Sequence, residues 1–251
     1  MENSQQNGSE KKVLVVANPE LKSQDILALG ALLHILKEGK EKVEILTLGK
    51  VNEKKAELLP EGVDAVNELA GQKFLIQFVS QEDSVENVQW NQDNKDLNLY
   101  ITMKQGDFKP EKMKFEALGG NYEKIYALGI TSIDQLAPAI NDGVRYIFKD
   151  TEIVSFGATL KADGAKIKAQ ENEKFVSTGE EVYKYAKNTG KKISTDAANY
   201  ILSSILSSTD GFKLSINDAQ TFITCAELTK IGADIKQANS LVTKFSEKTT
   251  K

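Results

Sequence analysis

ISTDAANYILSSILSSTDGFKLSINDAQTFITCAELTKIGAD, residues 193–234, is the stretch from which the rest of the chain is read. Its apolar spacing predicts a helix over 195–207, a Ser-rich turn with an aromatic-Gly step, and a second helix over 218–231. A further helix is expected over 234–245, and a charged one over 171–188 with Val176, Val182, Tyr183 and Tyr185 available for burial. The C-terminal half is therefore helical.

The N-terminal half reads differently. VLVVA at 13–17 is apolar on both faces, as in a strand buried within a parallel sheet. Asn18 and Pro19 end it, Ser23 stands at a helix N-cap with Asp25 in the first turn, and Ile26, Leu29, Leu33 and Leu36 fall at helical spacing up to Gly39. VEILTL at 43–48 is the next strand, giving a strand–helix–strand unit of right-handed type. Short helices are expected over 53–59 and 63–70, strands over 73–79 and 124–130, a helix over 133–140, a strand over 145–148 and an extended segment over 153–160. Between 85 and 103, Val88, Trp90, Leu97, Leu99, Ile101 and Met103 alternate with polar residues around QDNKD, the pattern of an antiparallel hairpin with one wet face. Trp90 is expected as the hairpin's packing anchor, or, if exposed, as a contact surface. The fold class is α/β: a doubly wound, mostly parallel sheet with an inserted β-hairpin and a helical C-terminal half. One domain is expected over 12–246, between a disordered 1–11 and a frayed 247–251.

Composition narrows the function classes. With 32 basic and 36 acidic residues intermingled, the chain lacks the basic block that attracts nucleic-acid phosphates, so nucleic acid is weakly supported as a partner. No apolar run reaches the roughly 20 residues that span a bilayer, and the first dozen residues lack the apolar core of a secretory signal. Cys225, the single cysteine, suits a reducing cytoplasm and reads as a small buried side chain. Gly119-Gly120 does not open a helix after a strand, as a dinucleotide site requires. Lys161, Lys166 and Lys168 read as a solvated face. The serines at 203, 204, 207 and 208 have no base beside them in the pattern, which leaves a nucleophilic serine unsupported.

In an open α/β sheet, ligands bind beyond the carboxyl ends of the strands. The segments there, with the turn at 207–212, carry a resemblance. ILSSILSSTDGFKLS and AELTKIGAD resemble the LLxGIxxDTGGF and AELLxxGAD segments of the DHH phosphoesterase family, in particular its oligoribonuclease and pAp-phosphatase branch. Asn18-Pro19 followed by Asp25 is similar to the family's HxNPDxDxxGS motif, and IFKDTEIVSFG at 147–157 sits where the family has IDHHxxNxxFG. The resemblance spans about residues 12–246 and stops before the family's smaller C-terminal substrate domain.

That resemblance implies a site for two Mn²⁺ or Mg²⁺ ions that activate water and clamp a phosphate. Residue by residue the sequence departs from it. The initial His is replaced near Ala17 and the first Asp of the DxD pair is not found, while Asp25 can stand for the second. The strand-end Asp falls at Gly129, the Asp-His-His triplet becomes Phe148-Lys149-Asp150, and the Asp of the last motif becomes Ser208. The one histidine, His34, lies mid-helix and reads as a partly exposed helix residue. An ammonium at Lys149 would repel a divalent cation.

The expected cleft is thus lined by Asn18, Asp25, Gly129, Phe148, Lys149, Asp150, Ser208 and Thr209, with no resident metal and no cofactor. The reading is a catalytically inactive phosphoesterase-like protein acting as a binding or interaction module, with a protein partner or self-association left open and the membrane excluded. The alternative is a residual phosphoesterase acting on short oligonucleotides or nucleoside phosphates, holding Mn²⁺ or Mg²⁺ through Asp25, Asp150 and Asp210. A third use, as a structural partner, would employ the hairpin at 85–103.

Overall fold

In the computed structural model of the chain, the residues described are 12–18, 20–46, 58–69, 73–78, 85–93, 96–104, 113–118, 122–136, 139–140, 147–161, 165–169, 175–213 and 218–246. The strands are β1 (Lys12–Ala17), β2 (Lys42–Leu46), β3 (Asp64–Val66), β4 (Lys73–Phe78), β5 (Val85–Asp93), β6 (Asp96–Met103), β7 (Met113–Leu118), β8 (Lys124–Leu128), β9 (Glu152–Phe156) and β10 (Lys166–Ala169). The helices are α1 (Ser23–Glu38), α2 (Ile147–Asp150), α3 (Thr178–Asn188), α4 (Thr195–Ser208), α5 (Ala219–Ile231) and α6 (Ile235–Phe245), with a 3-10 turn at Ile133–Leu136.

The chain forms two compact units: residues 71–121 make one, and the segments on either side of them make the other. In the larger unit, six strands form a sheet in the order β10-β9-β8-β1-β2-β3. Every neighbouring pair in it is parallel. From β1 the chain runs outward to β2 and β3, then returns to the opposite side of β1 and runs outward again through β8, β9 and β10. The winding therefore reverses between β1 and β8, the position at which an α/β sheet opens a crevice.

Alternation along the strands feeds two cores. Val13 and Val15 of β1, Tyr126 and Leu128 of β8, and Val154 and Phe156 of β9 face α1, α3, α4 and α6. Leu14, Val16, Ile125, Ala127 and Ile153 face the other way, onto Leu69, the 3-10 turn and Ile147–Phe148. One face thus carries long helices and the other shorter, irregular cover.

Caps fix the helix starts. Ser177 and Glu180 form a reciprocal capping box on α3, Ser194 accepts from the Ala197 amide, and Asp218 and Asp234 start α5 and α6. The Asp234 amide in turn donates to Asn199 Oδ1 over 2.8 Å, which ties α6 to α4.

Several local expectations are corrected. The N-cap of α1 is Lys22, with extended backbone and no side-chain cap; Ser23 is already helical. Residues 64–66 pair in parallel with β2 instead of forming a helix, because a sheet edge offers their backbone partners that a short isolated helix lacks. Of the strand expected over 145–148, the described residues 147 and 148 belong instead to the helical turn Ile147–Asp150. Of the helix expected over 133–140, Ile133–Leu136 form a 3-10 turn. Strand β4 does not join the parallel sheet; it pairs antiparallel with β7, a strand the sequence pattern did not reveal. The pairs β4–β7 and β5–β6 belong to the smaller unit. Residues 53–57 of the helix expected over 53–59, the Gly119-Gly120 pair and both chain ends lie outside the described residues.

Candidate functional site

The carboxyl ends of β1, β8 and β9 lie side by side, and their ladder continues one residue past β1 and β8. The Asn18 amide donates to the Leu128 carbonyl over 3.0 Å, and the Gly129 amide donates to the Phe156 carbonyl over 2.9 Å. Gly129 and Gly157 both follow strand ends with positive φ, +67° and +69°. That left-handed backbone turns the chain away from the sheet and favours glycine.

Asn18 closes the crevice at the reversal. Its side-chain amide donates to the Gly129 carbonyl over 3.0 Å, and its Oδ1 accepts from the Glu20 amide over 2.9 Å. Leu21 lies against Gly129: a Cβ built there would sit 2.7 Å from Leu21 Cδ2. An apolar side chain and a satisfied amide therefore occupy the place where the sequence resemblance puts a metal-binding carboxylate.

Asp25 is turned to a different partner. Thr178 Oγ1 donates to Asp25 Oδ1 over 2.6 Å, which links the first turn of α1 to the first turn of α3. Beside them, Glu181 Oε2 accepts from the Gly157 amide over 2.8 Å. Burial pushes the Glu181 carboxyl above its ordinary value; the Gly157 amide opposes this and the Asp25 charge adds to it. Ser204 completes the junction from α4. Its hydroxyl donates to the Gln24 carbonyl over 2.8 Å and accepts from the Gly179 amide over 3.1 Å. A Cβ on Gly179 would stand 2.6 Å from Ser204 Cβ, so only glycine lets α3 approach α4 this closely.

The remaining expected site residues are dispersed. Phe148 is a correction: it is 1% exposed in the core on the second face of the sheet and lines no cleft. Its aromatic ring is drawn there by the apolar undersides of β8 and β9. Ser208 and Thr209 also turn inward. Ser208 Oγ donates to the Ser204 carbonyl over 2.9 Å, and Thr209 Oγ1 to the Ile205 carbonyl over 2.8 Å. Asp210 is exposed, with φ +46°, and pairs with Lys213 over 3.4 Å. Lys149 and Asp150 lie on α2, and their side chains fall outside the described residues. His34 stacks on Tyr200 of α4 with ring centroids 5.3 Å apart. Cys225 is half-buried, and burial pushes its thiol up to about 11, so it is not a reactive thiolate at neutral pH.

Two Mn²⁺ or Mg²⁺ ions need several carboxylates and imidazoles facing one another. Among the described residues no group of three His, Cys, Asp or Glu side chains gathers that could hold a metal ion. Asp25 and Glu181 supply two carboxylates, each already hydrogen-bonded to the protein, and no imidazole joins them. The described donors do not fit a two-metal centre.

Glu181 and Thr178 were not singled out from the sequence. The signal available was the S-x-x-E capping box at 177–180, which places Thr178 and Glu181 in a first turn that follows a strand end.

A six-stranded parallel sheet in this order, with flanking helices and a crevice at the β1/β8 reversal, defines a doubly wound α/β scaffold. It is similar in fold to an exopolyphosphatase-related protein from Bacteroides fragilis, with a TM-score of 0.54 and 13% identity over 95% of this chain and 58% of that one. The chain thus spans a little over half the length of that protein, and the likeness concerns the fold alone. No protein-family model and no curated protein matches the sequence.

Proposed function

We propose that the chain is a catalytically inactive DHH-phosphoesterase-like protein that serves as a binding or interaction module. The observation that carries this reading is at the switch point: the Asn18 amide is spent on the Gly129 carbonyl and Leu21 packs on the glycine that replaces a carboxylate. Fold and function are separable, and a scaffold whose crevice is closed by its own side chains retains surface for recognition without the site for hydrolysis. The lone cysteine suits a cytoplasmic setting, and among the described residues no helix is long and apolar enough to cross a membrane.

The test is hydrolysis of a short oligonucleotide and of pAp by the purified chain with Mn²⁺ present. The expected result is no metal-dependent release of mononucleotide or phosphate. Release that depends on Mn²⁺ and disappears in Asp25→Ala would replace this reading with the residual phosphoesterase.

A further inference from the structure

The smaller unit holds a hairpin that is incomplete by itself. Among the described residues, strands β5 and β6 pair only with each other, as a two-stranded sheet. A two-stranded ribbon is marginal in water unless another layer covers it. Its cross-strand pairs sort by face. Val88 opposite Ile101, Trp90 opposite Leu99 and Gln92 opposite Leu97 share one face, and by alternation Met103, opposite Val85, joins them. Gln89 opposite Tyr100 and Asn91 opposite Asn98 make the other face, where Asn98 Nδ2 donates to Asn91 Oδ1 over 3.1 Å.

The apolar face is open. Trp90 is 70% exposed, Leu97 64%, Val88 53% and Leu99 45%, so Trp90 is not the packing anchor within the chain that the sequence pattern led us to expect. At usual side-chain sizes these four present on the order of 400 Å² of contiguous apolar surface, as much as the largest patch of an ordinary monomer.

We propose that this face is a dimer interface whose occupant is the same hairpin of a second copy of the chain. Two such faces laid together, with their polar margins, bury about 1,000 Å², the lower bound for a specific interface. The face is also self-complementary in one orientation. With the two hairpins antiparallel about a two-fold axis between the Val88–Ile101 and Trp90–Leu99 pairs, the large Trp90 of each copy lies over the smaller Val88 and Ile101 of the other. Leu97 then lies over Met103 and Val85. The parallel alternative sets Trp90 over Leu99 of the other copy and brings the Asp93 and Asp96 of both tips together, whereas the antiparallel one sets each tip beside the base, where Glu86 and Lys104 balance. The symmetry is isologous, so association closes at two copies and covers the apolar face of both hairpins.

This inference goes beyond the functional reading above and does not depend on it, since an active hydrolase could pair in the same way. Trp90 is the only tryptophan of the chain, so its fluorescence reports on this face alone. The experiment is sedimentation of the full chain over a concentration series, with tryptophan emission recorded on the same samples. The expected result is a mass that doubles with concentration while the emission moves to the blue. Trp90→Lys and Leu97→Asp should each weaken the dimer more than about tenfold, the loss typical of a central anchor. Gln89→Lys, on the opposite face, should leave it intact.

A monomer whose emission stays that of water-exposed indole at every concentration overturns the proposal. So does blue emission from a monomer, which would mean that the face is covered within the chain. A dimer insensitive to both apolar-face substitutions overturns it as well, since its interface lies elsewhere.

Discussion

The side-chain amide of Asn18 donates to the carbonyl oxygen of Gly129 over 3.0 Å, joining the ends of the two strands between which the sheet's winding reverses. The bond takes up a polar group at the mouth of the crevice, and Leu21 closes over it. Asn18→Ala leaves the Gly129 carbonyl without that donor and should destabilise the larger unit by about 1–2 kcal/mol. Gly129→Asp must hold φ near +67° and displace Leu21, with an expected cost of about 1–3 kcal/mol. Urea denaturation followed by helical circular dichroism measures both. A Gly129→Asp variant as stable as the parent would show that the crevice accepts a carboxylate freely.

Ser204 is the junction of three helices, holding the Gln24 carbonyl of α1 and the Gly179 amide of α3 from α4. Ser204→Ala strands a donor and an acceptor in the core, and its expected cost is about 2–3 kcal/mol. Gly179→Ala drives a methyl into Ser204 and should cost about 1–3 kcal/mol by overpacking. The double variant should cost less than the sum of the two, because each single variant already disrupts the Gly179–Ser204 hydrogen bond, while the clash with the Cβ at 204 persists. Strict additivity in the same denaturation series would contradict the contact.

Glu181 gives stability a pH dependence of known sign. Its carboxyl is held above the ordinary value near 4.5, first by burial, so the folded state favours its protonated form. The contribution is complete below the unfolded value and is lost as pH rises through the raised folded value. Glu181→Gln keeps an acceptor for the Gly157 amide and removes the charge. It should therefore raise the melting temperature at about pH 7, with the gain vanishing near pH 4. A loss of stability at neutral pH would mean that the charged form is the favoured one.

His34 has the opposite sign. Burial against Tyr200 lowers its imidazole below 6.5; the Lys37 charge adds to this, while Asp196 and Glu38 oppose it. A lowered histidine stabilises the fold above 6.5, and the contribution is lost as pH falls through the folded value. Because it is the only histidine, one imidazole proton resonance titrates without ambiguity. Its midpoint should lie below 6.5, and His34→Gln should flatten the stability curve below that pH. A midpoint above 6.5 would assign the Asp196 charge the larger share.

Much of the fold was legible because local pattern and tertiary role agree. The doubly apolar VLVVA could only be an inner strand, and the alternation from Val88 to Met103 could only be a ribbon. Reading failed where tertiary pairing overrode weak local preference. Asp64–Val66 is mostly exposed and looks like nothing in particular until β2 offers it an edge. Ile147 and Phe148, apolar and short, suit a strand or a helical turn equally well. The exposure of Trp90 could not be read either, since alternation marks an apolar face without saying what covers it.

At the site, Asn18 and Gly129, which the strand-end rule sets at neighbouring strand ends, are joined by a hydrogen bond. That rule could not pair Asp25 with Thr178, which lies 153 residues away, nor bring up Glu181, because those contacts depend on how two helix starts converge. Ser208 illustrates the same limit: its hydroxyl is satisfied by its own helix.

The central claim is that the described side chains do not supply the donor set that a two-metal centre needs. It is tested most directly by the paramagnetic resonance of Mn²⁺ titrated into the full chain, since bound ions lose the sharp signal of the free ion. The account predicts a free-ion signal of full intensity at every ratio of metal to protein, the same for the parent and for Asp25→Ala. Loss of signal in proportion to the protein, restored by Asp25→Ala, would contradict it.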